Sequence, residues 1–138
     1  MKNILLIVDP QNDFITGPLA VKGAKEKMLK LSDYIKDFKD EYDYIFVTLD
    51  THPIDHCSFK ENGGIWPSHC IFLTNGWHMP EYLSDAFDRY ESFFVYNKGE
   101  NRDKEEYSIF QNEMCGKVLK QQLQFFQNQD EDTYVDVC

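Results

Sequence analysis

Apolar residues along the chain gather in four short runs, separated by segments with either a helical period or none. Ile4-Leu5-Leu6-Ile7-Val8 is continuous, too short for a helix and rich in β-branched residues, which predicts a strand buried on both faces. Tyr44-Ile45-Phe46-Val47-Thr48-Leu49 predicts a second buried strand, Phe93-Phe94-Val95-Tyr96 a third, and Thr133 to Val137 a fourth. Between the first two, Met28, Leu31, Ile35 and Phe38 recur at spacings of three, four and three among lysines and acids, the mark of an amphipathic helix. A short helix carrying Leu83 and Phe87 precedes the third strand. A longer one, from about Gln111 to Gln127, precedes the fourth, with Met114, Val118 and Phe125 along one stripe and Cys115, Leu119 and Phe126 beside it. Gly17-Pro18 and Gly23 mark an irregular loop, and Gly99 to Glu106 a charged one. Strands alternating with helices predict βαβ units, hence an α/β fold with a doubly wound, mostly parallel sheet flanked by helices.

One stretch has no period. From Thr51 to Pro80 the chain is rich in His, Pro, Gly, Trp and Asn, and irregular segments of this length in compact domains are usually functional or disordered. Its aromatic content argues for order. Ionisable residues also stand at the carboxyl ends of the four strands: Asp9, Asp50, Lys98 and Cys138. In open α/β sheets ligands bind at those ends, where the strand order reverses, so an acid, a lysine and a thiol converging there point to a site.

Composition narrows the choice of partner. The 138 residues suit one domain, covering 1–138, and 24 acidic against 14 basic residues give a net charge of −10. A surface of that sign disfavours nucleic acid and anionic membranes, so a small molecule is the expected partner; a homo-oligomer stays open. No apolar run approaches the ~20 residues of a membrane helix, and the first residues lack a signal-peptide cleavage site, so the expected location is the cytoplasm. The four cysteines, Cys57, Cys70, Cys115 and Cys138, have irregular spacings without CxxC pairs, which suits free thiols.

The densest chemistry is Asp50-Thr-His52-Pro-Ile-Asp-His56, followed by Trp66-Pro-Ser-His69-Cys70. A carboxylate and two neutral imidazoles suit Zn²⁺, Mn²⁺ or Fe²⁺ and leave coordination positions open. In an extended segment Asp50 and His52 point to the same side and can share one ion. All four histidines lie between positions 52 and 78, which is a concentration rather than a scatter. Asp50, His52 and His69 are therefore the expected metal ligands, with His56 a candidate fourth and His78 read as capping a turn.

These residues resemble a known family. Asp9-Pro-Gln11-Asn-Asp13-Phe14, the Gly-Pro-Leu-Ala-Val-Lys-Gly that follows, the Asp50-Thr-His52-Pro run through His56 to Ser58-Phe59, Trp66-Pro-Ser-His69-Cys70 and Lys98-Gly99 look, in order and at fitting intervals, like nicotinamidases (pyrazinamidases) of the isochorismatase-like cysteine hydrolases. The resemblance implies a triad of Asp9, Lys98 and a cysteine that converts nicotinamide to nicotinate and ammonia, a step of NAD salvage. In that scheme Asp9 takes the thiol proton, Lys98 stabilises the thiolate, and a thioester forms and is hydrolysed. It implies also that the metal, zinc first and iron or manganese next, orients the pyridine ring, and that Phe14 and Trp66 line the pocket.

The family's nucleophile stands a few residues past the fourth strand, in a segment of the type Gly-[Ile/Val]-Ala-Thr-Asp-x-Cys. Two registers follow for Cys138. Either it belongs to the fourth strand and the nucleophile comes later, which is the preferred reading, or Asp136-Val-Cys138 is itself the nucleophile segment. A βαβ unit takes about 30 residues or more, so this chain supplies four strands and leaves the last as an apolar edge, which folded proteins avoid. The expectation is a domain whose C-terminal strands lie outside this chain. Two alternatives are another isochorismatase-like hydrolase and a non-catalytic homologue that binds metal or a pyridine ligand.

Overall fold

A computed structural model describes residues 1–38, 40–88, 90–129 and 132–138. Strand β1 (Lys2–Val8) lies at the centre, where its continuous apolar run is covered from both sides: Ile4, Leu5, Leu6 and Ile7 are buried. Strand β2 (Tyr44–Asp50) pairs with it in parallel and is buried from Ile45 onward. β3 (Phe93–Lys98) pairs with β2, and β4 (Thr133–Val137) with the opposite side of β1, so the all-parallel sheet has the order β3-β2-β1-β4. The order reverses between β1 and β4, as a doubly wound sheet requires.

Period-2 alternation divides the core into two layers. Leu5 and Ile7 of β1 and Ile45, Val47 and Leu49 of β2 pack with Ile35, Leu83, Ala86 and Phe87, the inward residues of helices α2 (Ala24–Asp37) and α3 (Glu81–Phe87). Ile4, Leu6, Phe46 and Tyr96 face the other way, onto Ile109 and Leu119, with Phe126 packed against them. That layer is covered by helix α4 (Cys115–Gln129). The alternation of βαβ units read from sequence is thus realised with helices on both faces.

The structure differs from the sequence pattern, or adds to it, at four local points. The helix expected from Gln111 begins at Cys115, because Gln111 closes a 3-10 turn (Ile109–Gln111) in a reciprocal cap with Ser108. Asn112 then accepts the N–H groups of Met114 and Cys115 through its side chain, which stops any upstream extension of α4. On α4 the buried stripe is the one through Cys115, Leu119 and Phe126, whereas Met114, Val118 and Phe125 are exposed. Phe38 also lies outside: it is the C-cap of α2 and exposed, its ring 4.8 Å from that of Tyr34. Finally, the loop after β1 contains a one-turn helix, α1 (Asn12–Ile15), that the sequence pattern does not reveal.

β3 and β4 are the sheet's edges, and β4 exposes Tyr134, Val135 and Val137. No helix among the described residues is long and apolar enough to cross a membrane. The four cysteines are free thiols, as their spacing suggests.

Candidate metal and catalytic site

Three strand ends assemble the site. Asp50 and Lys98 are direct partners in the β2–β3 register, and Asp9 follows Val8, whose partner in β2 is Thr48. The Lys98 ammonium sits between the two carboxylates, 2.9 Å from Asp9 Oδ2 and 3.1 Å from Asp50 Oδ1. Burial works against this charge, but Asp50 and Asp9 outweigh it and hold the Lys98 pKa above the ordinary lysine value. For Asp9 burial wins: the carboxyl is pushed above its usual range despite Lys98 and the hydroxyl of Thr48, which donates to Oδ1 at 2.8 Å. Asp9 also has φ 49°, a left-handed conformation that Asp tolerates better than most residues and that recurs at functional sites.

The other carboxylate oxygen of Asp50 faces the histidines. His52 Nε2 is 2.9 Å from Asp50 Oδ2 and His69 Nε2 is 3.3 Å from the same atom, all three side chains being buried. Burial raises the Asp50 carboxyl, but in the metal-free chain hydrogen bonds from His52 and His69 in their protonated form, with the Lys98 charge, outweigh it and hold the group well below the carboxylate range. Each imidazole is fixed from behind: His52 Nδ1 lies 2.9 Å from the carbonyl of Gly99, and His69 Nδ1 2.8 Å from that of Pro67. A carbonyl only accepts, so both Nδ1 atoms carry the hydrogen, and in the neutral ring Nε2 then offers a lone pair. Two such lone pairs and a carboxylate oxygen converging in the protein interior repel one another unless a cation or protons stand between them. This donor set fits a divalent ion with two nitrogen ligands and one oxygen ligand, and leaves room for a further ligand.

His56 has a different place. Its ring stacks on His52 at 4.0 Å between centroids, with Nδ1 2.7 Å from Ser58 Oγ and Nε2 3.1 Å from the carbonyl of Lys104. Both nitrogens are engaged, so the structure leaves His56 outside the ligand group and makes it a support for His52. His78 is exposed and distant in role, its carbonyl accepting the Asn12 N–H.

In front of the cluster is a cavity of about 320 Å³ lined by Asp9, Asp50, Lys98 and His69, with Phe14, Leu19, Trp66 and Tyr107 as its apolar walls. That volume is at the lower end of small-molecule sites, about 300–1,000 Å³. Phe14 lies 5.8 Å from the His69 ring, and the Trp66 indole N–H donates to the Tyr107 hydroxyl at 3.2 Å. Phe14 and Trp66, expected at the pocket, line it.

Cys138 does not face this cavity. Its N–H donates to Leu6 O and its carbonyl accepts from Val8 N–H, which makes Ile7 its partner and continues the β1–β4 ladder. Paired residues of a parallel sheet share a face, and Ile7 faces the α2–α3 layer. The surrounding chain and the Asp136 charge push the thiol up to about 11, away from a ready thiolate. Cys70 is fully buried with its thiol raised by burial, Cys57 is on the irregular segment of residues 51–80, and Cys115 begins α4.

Several supporting residues have a role that the sequence did not assign. Gln11 is fully buried; its amide donates to the Asp50 carbonyl at 2.7 Å and accepts the Asp50 N–H at 2.8 Å. The side chain therefore pairs with Asp50 as a neighbouring strand would. Glu106 is buried and accepts the Gly99 N–H at 2.9 Å. Gly99 has φ 76°, and a Cβ there would lie 2.5 Å from His52 Cε1, so the close approach of backbone to imidazole demands glycine.

No protein-family model matches the sequence. The nicotinamidase of Saccharomyces cerevisiae is 30% identical, the match covering 77% of this chain and 61% of that protein. The structure of a pyrazinamidase of Pyrococcus horikoshii in complex with zinc is 30% identical and superposes with a TM-score of 0.71 over 100% of this chain and 71% of that one. The yeast nicotinamidase bound to the inhibitor nicotinaldehyde gives 25% identity and a TM-score of 0.78 over 99% and 74%. This chain spans 54% to 61% of the length of the curated nicotinamidases it matches. With its parallel sheet and its sequence both matched, the chain belongs to the nicotinamidase family of isochorismatase-like hydrolases.

Proposed function

We propose that this chain is the N-terminal part of a metal-dependent cysteine amidohydrolase that converts nicotinamide to nicotinate and ammonia and so serves NAD salvage. The observation that carries the reading is the joining of two groups on one carboxylate: Asp50 meets Lys98 through Oδ1, Lys98 in turn holding Asp9, and meets His52 and His69 through Oδ2. The relatives' names supply the substrate class, and the zinc-bound pyrazinamidase supports zinc as the ion.

In this mechanism Asp50, His52 and His69 hold a divalent ion, which would supply a Lewis-acid contact for the ring nitrogen of the substrate. Phe14 and Trp66 line the pocket beside the ring and exclude water from the carboxamide. Asp9 takes the proton from a nucleophilic thiol, a task that suits a carboxyl raised above its usual range, and Lys98 stabilises the thiolate. Thiolate attack on the carboxamide carbon, with proton delivery from Asp9, expels ammonia and leaves a thioester. Asp9 then activates the water that releases nicotinate. Because Cys138 faces the helix layer, we place the nucleophile in residues that follow it in the whole protein and complete the domain.

Ammonia release from nicotinamide, followed on this 138-residue chain and on the longer gene product, tests the reading. Turnover is expected from the longer form, and Asp9→Asn should abolish it while stoichiometric metal stays bound. A longer form that binds nicotinamide without turnover would make the protein a binding homologue. Active enzyme free of metal would place it with other isochorismatase-like hydrolases.

A further inference from the structure

Asp13 belongs to neither the candidate ligand group nor the cavity wall, yet its carboxylate reaches into the segment that carries His69. Oδ2 accepts the backbone N–H of Cys70 at 2.7 Å. Cys70 directly follows His69, is 0% exposed and has φ 47°, in the left-handed region that side chains other than Gly, Asn and Asp seldom enter. Its carbonyl accepts the N–H of His52 at 3.0 Å, and the next residue, Ile71, forms a bridge with His52. The left-handed residue thus stands between one imidazole of the cluster and the segment that pairs with the other. Both sides of its backbone are tied, one to Asp13 and one to His52.

The carboxylate that makes this contact is itself confined. A Cβ at Gly17, or at Gly76 from a separate segment, would collide with it, so both glycines leave the space the carboxylate fills. The Asp13 N–H donates to Gly76 O at 3.0 Å, and the Asp13 carbonyl accepts from Leu19 N–H at 3.1 Å. Such enclosure is more than the first turn of a four-residue helix calls for.

We propose that Asp13 is a positioning residue of the metal site: its carboxylate holds Cys70 in the left-handed conformation and thereby sets the His69 imidazole at its place beside Asp50. Asp13 touches neither ion nor substrate. The inference rests on the reading of Asp50, His52 and His69 as ligands.

The test is zinc affinity, measured by competition with a chromophoric chelator on the 138-residue chain, alongside a circular-dichroism melt. Asp13→Ala is expected to weaken zinc binding about 10- to 100-fold, the usual range for loss of an outer support. Asp13→Asn, whose amide oxygen still accepts from Cys70, should stay within about threefold of the parent. The deciding variant is Cys70→Gly, because glycine enters the left-handed region freely. Adding it to Asp13→Ala should recover most of the lost affinity, although it also removes a buried thiol. A carboxylate that merely stabilised the fold would show no such rescue. Wild-type zinc affinity in Asp13→Ala, or a double variant binding no better than Asp13→Ala, overturns the proposal. If Asp13→Ala alone does not fold, the double variant is compared with Cys70→Gly: near-equal affinity supports the proposal, and an unfolded double variant overturns it. His69→Ala separates the two levels, since unchanged zinc binding there would remove the ligand reading itself.

Discussion

At the scale of single residues, the site is a set of charges that water would otherwise solvate. Lys98 is 3% exposed and Asp50 5%, so each depends on the other for its charge. Removing one member of a buried pair leaves the other uncompensated, and Lys98→Ala should therefore destabilise the metal-free chain by about 3–5 kcal/mol in urea titration. Full stability in that variant would show that Asp9 and Asp50 are hydrated. The raised Asp9 carboxyl bears on activity: the proposed base must be ionised, so the acid limb of kcat/KM should fall at a pH above the ordinary aspartate value of 3.8, with activity lost as pH drops through it. Glu106 has the opposite sign. Burial would raise it, but the Gly99 N–H, Asn112 and Lys104 outweigh burial and hold it below its ordinary value of 4.5. Its contribution to stability is therefore present above about that pH and declines as the folded carboxylate protonates below it. Glu106→Gln should lose stability at pH 7, and the difference from the parent should shrink steadily on acidification.

Elements show how a hydrophobic pattern becomes a packed face. α4 carries two apolar stripes, and propensity alone does not choose between them. The sheet chooses: Phe46 and Tyr96 leave a hollow that Leu119 and Phe126 fill, and Val118 is left outside. Leu119→Ala should cost about 2–5 kcal/mol, whereas Val118→Ala should stay within about 0.5 kcal/mol in this chain. Equal losses would mean that α4 is rotated relative to the sheet. The turn after β3 is constrained in another way, by His52 rather than by its own sequence. Gly99→Ala should weaken zinc binding about tenfold or more, because either the backbone or the imidazole must move.

For the whole molecule, an ion held only by the folded state stabilises it in proportion to the logarithm of its concentration. At about a thousandfold excess over Kd the gain is about 4 kcal/mol, enough to raise the melting midpoint by about 10 °C in a chain of this size. A melt with and without zinc, followed by chelator, measures it, and an unchanged midpoint would argue that the three donors hold no metal. Strands β1 to β3 were legible because each is a continuous apolar run ending in an ionisable residue. The first turn of α4 was not, because Asn112 and Ser108 cap through side chains that periodicity does not register. The candidate donor group of Asp50, His52 and His69 was legible from residue types: Asp50 and His52 stand two residues apart on extended chain, and His69 falls in the same histidine-rich segment. For His56 the sequence left the role open, because composition counts histidines without counting what their nitrogens already bind.

By itself, the sequence determined the βαβ order, the strand ends where chemistry gathers and the types of residue that meet there, since these follow from local period and from motif. Tertiary structure alone decided which side chains hold the site in place. Gln11 pairs with Asp50 across 39 positions, Asp13 with Cys70 across 57, and Gly99 with His52 across 47. The physical reason is that a hydrogen bond or a close approach depends on distance in space, and separations of that order in sequence are closed only when the sheet forms and brings its strand ends together.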